Sequence, residues 1–248
     1  MKRRLKAVIF DMGGTLLDFD SIPWQEAEAQ GYKNVYDRLV NNGYSLPSED
    51  EVIQSLGEII EEYWLRTLVK REGVSLEDVF AELSRRFNLK LPDSDLTSYM
   101  WSYYHPISSQ VSIFDSTRET LISLKRRGLK IGLISNTLCP GELHQEELRR
   151  FDILELFDDL KFSSDFRYAK PNPSIFRASL EALGVEPEEA VFVGDRIVDD
   201  VSGAQGVGMK GILRELDSRE EKSDSIVPDG RIKSIRELED TLGQLYFL

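Results

Sequence analysis

Ala7-Val8-Ile9-Phe10-Asp11-Met12-Gly13-Gly14-Thr15 is the stretch whose reading decides the fold. Four apolar residues, two of them β-branched, predict a short buried strand, and a lone carboxylate before two glycines marks its carboxyl end. In an open α/β sheet that end faces the ligand crevice, and a glycine pair lets the backbone turn and approach an anion closely. A strand merely stopped by an acidic turn would read the same locally. The weight therefore rests on the segments downstream.

From Asp115 onward helix and strand alternate, the pattern of a parallel sheet covered on both faces. Ser116 and Glu119 are expected to cap a helix that runs to Gly128, and Leu129 to Ser135 follows as a strand. A helix around Glu142 to Phe151, a short strand near Leu160 to Ser163 and a helix opened by Pro173 come next. Ala190-Val191-Phe192-Val193-Gly194-Asp195 is a second buried strand ending in a carboxylate. Beyond it lie a helix near Asp200 to Gln205, a strand at Lys210 to Leu213, a charged loop over Asp217 to Asp224 and a last helix over Ser234 to Leu245. Gly203, Gly206 and Gly208 follow a helix instead of opening one, which sets a dinucleotide site aside.

Between these halves, up to about residue 105, the apolar period is helical. Val52, Leu56, Ile59, Ile60 and Tyr63 line one face behind Ser48 and Glu51, and Leu76, Val79, Phe80, Leu83 and Phe87 line another behind Ser75 and Asp78. Leu96, Tyr99, Met100, Tyr103 and Tyr104 form an aromatic stripe, and an earlier helix is expected from Trp24 to Asn41, stopped by Gly43. The expected division is a core of residues 1–18 and 108–248 with a helical insert of residues 19–107.

A chain of 248 residues with 41% hydrophobic content can bury a sizeable core. Its net charge of −13 argues against a nucleic-acid partner or an anionic membrane, either of which would need a basic face. One cysteine, Cys139, excludes an internal disulfide framework and fits a reducing cytoplasm, where it serves best as a small buried hydrophobe.

Four pieces recur at strand ends or helix starts: Asp11 with Thr15, Ser135 with Asn136, Lys170-Pro171, and Gly194-Asp195 with Asp200. A carboxylate, a hydroxyl, a cation and an acidic cluster are the equipment a sheet edge needs to bind a phosphoryl group with Mg²⁺. Their order resembles the haloacid dehalogenase-like hydrolase superfamily over nearly the whole chain, carried most specifically by Ile9 through Leu16 and by Val193 through Ala204. The resemblance implies a Rossmann-like parallel-sheet core with an α-helical, C1-type cap, acting on a small phosphorylated metabolite. It further implies that Asp11 is the nucleophile, forming an aspartyl-phosphate that water hydrolyses. Mg²⁺ would sit between Asp11, the backbone carbonyl of Gly13 and Asp195, with Asp200 a ligand or just behind one. Ser135 and Lys170 would contact the phosphoryl oxygens, and Thr15 and Asn136 would orient these groups.

One position departs from that pattern. Phosphatases of the superfamily carry a second aspartate two residues after the nucleophile, as general acid and then general base, and here that position is Gly13. Such assistance is typically worth about 10² to 10⁴ in rate. The open readings are a substrate with a good leaving group, phosphonatase-like chemistry through a Schiff base on Lys33, Lys70 or Lys90, or binding without turnover. Dehalogenase chemistry fits less well, because Asp195 stands where those metal-free enzymes usually have serine.

Overall fold

The computed structural model describes residues 3–216, 223 and 225–247. Strand β1 (Ala7–Phe10) opens the chain, and β2 (Leu17–Asp18) follows the Asp11 loop. Helices α1 (Trp24–Asn41), α2 (Glu49–Leu65), α3 (Leu76–Phe87) and α4 (Asp93–Ser108) come next, and β3 (Ser112–Ile113) returns antiparallel to β2. The remainder alternates: α5 (Thr117–Arg126), β4 (Lys130–Ser135), α6 (Gly141–Arg150), β5 (Asp159–Phe162), α7 (Pro173–Leu183), β6 (Ala190–Gly194), α8 (Gly203–Gln205), β7 (Lys210–Arg214), β8 (Gly230–Ile232) and α9 (Leu238–Leu245).

Six of these strands form one parallel sheet in the order β5-β4-β1-β6-β7-β8. Strand β1 is central, and the chain builds outward from it first on the β4 side and then on the β6 side. That reversal opens a crevice at the carboxyl end of β1, which places Asp11 at the topological switch point. Both faces are covered. Val8, Phe10, Ile131, Leu133, Val191 and Val193 point into one apolar cluster, while Ala7, Ile9, Ile134 and Phe192 point into the other with Ile175, Phe176 and Leu180 of α7. Alternate residues thus face opposite layers that are both apolar, which is why the strands read as continuous hydrophobic runs.

In the helical insert most of the anticipated stripes are buried: Val52, Leu56, Ile59, Ile60 and Tyr63 on α2, Leu76, Val79, Phe80 and Leu83 on α3, and Tyr99, Met100, Tyr103 and Tyr104 on α4, while Phe87 and Leu96 are half-buried against the same core. Ser75 and Asp78 form a reciprocal capping box, and the Ser48 hydroxyl accepts from the Glu51 N–H. Gly31 lets α1 approach α4 closely, since a Cβ there would fall 2.4 Å from the Tyr103 carbonyl oxygen. Ser116 behaves differently from expectation. It sits in the left-handed region at φ 66° and makes no cap hydrogen bond; its hydroxyl instead accepts from the Arg236 guanidinium at 3.0 Å. The charged loop over Asp217 to Asp224 lies, apart from Ser223, outside the described residues. Among the described residues no helix is long and apolar enough to cross a membrane.

Candidate active site

Asp11 and Asp195 each follow the last residue of neighbouring parallel strands, so sheet register alone brings them together. The Asp11 N–H continues the ladder to the Val193 carbonyl at 2.9 Å. Gly14 makes the close approach possible. It adopts φ +79°, and a Cβ there would lie 2.7 Å from the Asp195 carboxylate. Asp200 arrives from a π-helical turn over Ile197–Ser202 and is fully buried, its Oδ2 accepting the Arg196 N–H at 2.9 Å.

Lys170 ties these groups together. Its Nζ is 2.6 Å from Asp11 Oδ1 and 2.7 Å from Asp200 Oδ1, and its side chain is 2% exposed. Burial pushes the Asp11 carboxyl up to about 6; the Lys170 charge pulls it down, and the Asp200 charge raises it. For Lys170 burial works in the opposite direction, but the charges of Asp11 and Asp200 outweigh it and hold the ammonium above its ordinary range. The lysine charge thus favours the ionised form of Asp11 against the effect of burial. Asn136 fixes the lysine from behind, because its Oδ1 accepts the Lys170 N–H at 2.8 Å and its Nδ2 donates to the Lys170 carbonyl at 3.0 Å.

Carboxylate oxygens of Asp11, Asp195 and Asp200 lie within 4.8 Å of one another. A buried donor set made only of oxygens fits a hard divalent cation. Ser135 is the buried last residue of β4, beside β1. Thr15 is buried on the Asp11 loop, and its hydroxyl has no partner among the described residues. Gly13 is half-exposed with φ outside the left-handed region, and a Cβ on it would meet the edge of the Phe19 ring at 3.3 Å. Phe19 in turn stacks on Trp24, with ring centroids 6.3 Å apart.

Two arginines reach this region unannounced by the sequence. Arg214, buried at the end of β7, donates to the Gly14 carbonyl and lies over the Phe114 ring at 3.8 Å. Arg71 of the insert pairs with Asp199 at 2.9 Å. The chain around it is bonded to the Lys170 loop through Ala169 N–H to the Arg71 carbonyl at 3.0 Å and Gly73 N–H to the Arg167 carbonyl at 2.9 Å. Neither was marked out locally: Arg214 closes a strand that Lys210 opens with a like charge, and the neighbours of Arg71 are set by tertiary packing.

The haloacid dehalogenase-like hydrolase family matches residues 5–208, which take in Asp11, Thr15, Ser135, Asn136, Lys170, Asp195 and Asp200. The chain belongs to that family. It is 29% identical to a glyceraldehyde 3-phosphate phosphatase of Methanopyrus kandleri over 97% of this chain and 98% of that protein. A protein of the same name from Pyrococcus furiosus is also 29% identical, over 85% and 80%. Among solved structures, a phosphatase of the family from Thermococcus onnurineus superposes with a TM-score of 0.64 at 28% identity, covering 96% of this chain and 98% of that one. A 2-haloacid dehalogenase from Pseudomonas syringae gives 0.68 over 97% and 99%; at 22% identity it speaks for the shared fold alone.

Proposed function

We propose that the protein is a Mg²⁺-dependent phosphatase of small phosphorylated metabolites, with Asp11 as nucleophile. The observation that carries this reading is the buried lysine bridging Asp11 and Asp200 beside Asp195 at the strand ends. Asp11 and Asp195, with the Gly13 carbonyl, are the groups to hold the metal; Asp200 has one oxygen on Lys170 and the other on the Arg196 N–H, which suits it to holding the lysine. Bound there, Mg²⁺ supplies positive charge against the phosphoryl oxygens.

Lys170 fixes one Asp11 oxygen and keeps the carboxylate ionised, so an Asp11 oxygen can attack phosphorus while the leaving oxygen departs with its electron pair. Water then attacks the same phosphorus, which frees phosphate and restores Asp11. Ser135 and Lys170 contribute donors to the phosphoryl oxygens. With glycine at position 13, no side chain there protonates the leaving group, which favours acyl or enol phosphates over alkyl esters. A Schiff-base route would need a lysine made nucleophilic by burial. Lys33 is instead half-exposed, 3.0 Å from Glu49, which raises its pKa, and Lys70 and Lys90 are exposed.

A screen of phosphorylated metabolites tests the reading. It includes glyceraldehyde 3-phosphate, acyl phosphates and phosphonates, each with and without Mg²⁺, on wild type and Asp11→Asn. Expected is Mg²⁺-dependent phosphate release that Asp11→Asn abolishes. Release that is equal in the variant, or absent for every compound, would overturn it.

A further inference from the structure

A second buried polar cluster lies where α4 of the insert meets α6. Tyr104 is 3% exposed, His144 3% and Glu147 1%. The Tyr104 hydroxyl donates to Glu147 Oε1 at 2.8 Å, and Glu147 Oε2 is 2.9 Å from His144 Nδ1. Burial, with the Glu147 charge beside it, pushes the Tyr104 hydroxyl well above its ordinary range, so it remains a donor. On the far side His144 Nε2 is 2.8 Å from Thr137 Oγ1, which also accepts the Cys139 N–H at 3.0 Å. A proton on His144 Nδ1 meets the Glu147 carboxylate, and Nε2 shares the hydrogen bond on the far side with the Thr137 hydroxyl.

The order Glu, His, Thr is the hydrogen-bond order of an activated hydroxyl. Here that hydroxyl is buried and already accepts from a backbone N–H, which suits it to holding a loop and not to attack. The same loop is held at the Thr137 backbone, whose N–H donates to Ser163 Oγ at 2.9 Å and whose carbonyl accepts from that hydroxyl at 3.0 Å. The preceding residue is Asn136, which grips both backbone groups of Lys170. A continuous run of hydrogen bonds and one peptide link therefore joins the insert to the lysine.

We infer that Tyr104, Glu147, His144 and Thr137 are positioning residues: by seating α4 on the core they fix the Asn136 grip on Lys170, and with it the geometry of the Asp11–Lys170–Asp200 cluster. The inference rests on the reading of that cluster as the phosphoryl site. Thr137→Val keeps the shape and removes the hydroxyl, Thr137→Ser keeps the hydroxyl, and Tyr104→Phe releases the insert end. Hydrogen exchange of residues 166–172, which include the Lys170 amide, needs no substrate. Loss of one or two buried hydrogen bonds should speed it about 5- to 10-fold in Thr137→Val and Tyr104→Phe and leave it near wild type in Thr137→Ser, with β1 and β6 unchanged. On the best substrate of the screen, kcat should fall by a similar factor while KM holds. Unchanged exchange in a folded Thr137→Val, or equal acceleration in Thr137→Ser, would overturn the inference; if Thr137→Val does not fold, Tyr104→Phe decides alone. A wild type inactive on every phosphate would count against the functional reading, while the exchange result still judges the relay.

Discussion

Two buried polar clusters in this molecule are built on opposite principles. At the strand ends three carboxylates crowd together, two of them on one lysine, and Asp11 is pushed up to about 6 by burial and by Asp200 against the pull of Lys170. Where α4 meets α6, one carboxylate has a tyrosine on one oxygen and a histidine on the other, and the histidine's second nitrogen is met by Thr137. The first arrangement keeps like charges close in a desolvated place, a cost that a fold tolerates where charge must be handled. The second leaves each member satisfied, which rigidifies its surroundings without inviting a ligand. On the proposed reading, crowding marks the chemistry and satisfaction marks what holds it still.

Lys170→Met should separate the two most sharply. Removing the ammonium leaves Asp11 and Asp200 facing each other in a buried site, and turnover should fall by about 10² to 10³. Because the Lys170 charge lowers the Asp11 pKa, its loss raises that pKa further above about 6, so the acid limb of the activity–pH profile should move to higher pH. A loss no greater than that of Tyr104→Phe, with an unmoved acid limb, would break the distinction.

Gly13→Asp should have a smaller effect in the opposite direction. The backbone there accepts a side chain, and the Phe19 ring edge at 3.3 Å needs to give by a few tenths of an ångström. Restoring a proton donor should raise turnover of alkyl phosphates by up to about 10²-fold and of acyl phosphates by less, since a good leaving group needs no proton. Melting curves check that the variant folds as wild type does. No gain on any ester from a stable, Mg²⁺-binding variant would end the account of Gly13 as a missing acid/base.

Of the strand-end site, Asp11 and Asp195 were legible because local rules place them, while Lys170 and Asp200 were reached through the order of the motifs and the family resemblance it carries. An apolar run ending in Asp11 or Asp195 puts that carboxylate at a crevice, and parallel pairing on β1 supplies the rest. The insert was legible only as helices. The stripe through Tyr99, Met100, Tyr103 and Tyr104 correctly says buried, yet a helical period does not distinguish Tyr104, whose hydroxyl reaches α6, from its neighbours. His144 and Glu147 sit three apart on a helix that reads as surface, and are buried by tertiary partners, Tyr104 of α4 and, for the His144 ring, Phe162 of β5. Arg71 follows a π-helical turn and takes a left-handed conformation at φ 59°, neither of which local propensity announces. Ser116 shows the converse: a capping signal present in the sequence gave way to a positive φ and a distant arginine.

The central claim is that Asp11 is the atom donor at phosphorus, and trapping tests it most directly. Enzyme quenched in acid during turnover of its best substrate, then digested and mapped by mass spectrometry, should carry one added phosphoryl group on the peptide containing Asp11. Asp11→Asn should carry none. A phosphoryl group found on another residue, or steady turnover by Asp11→Asn with no adduct anywhere, would contradict the account.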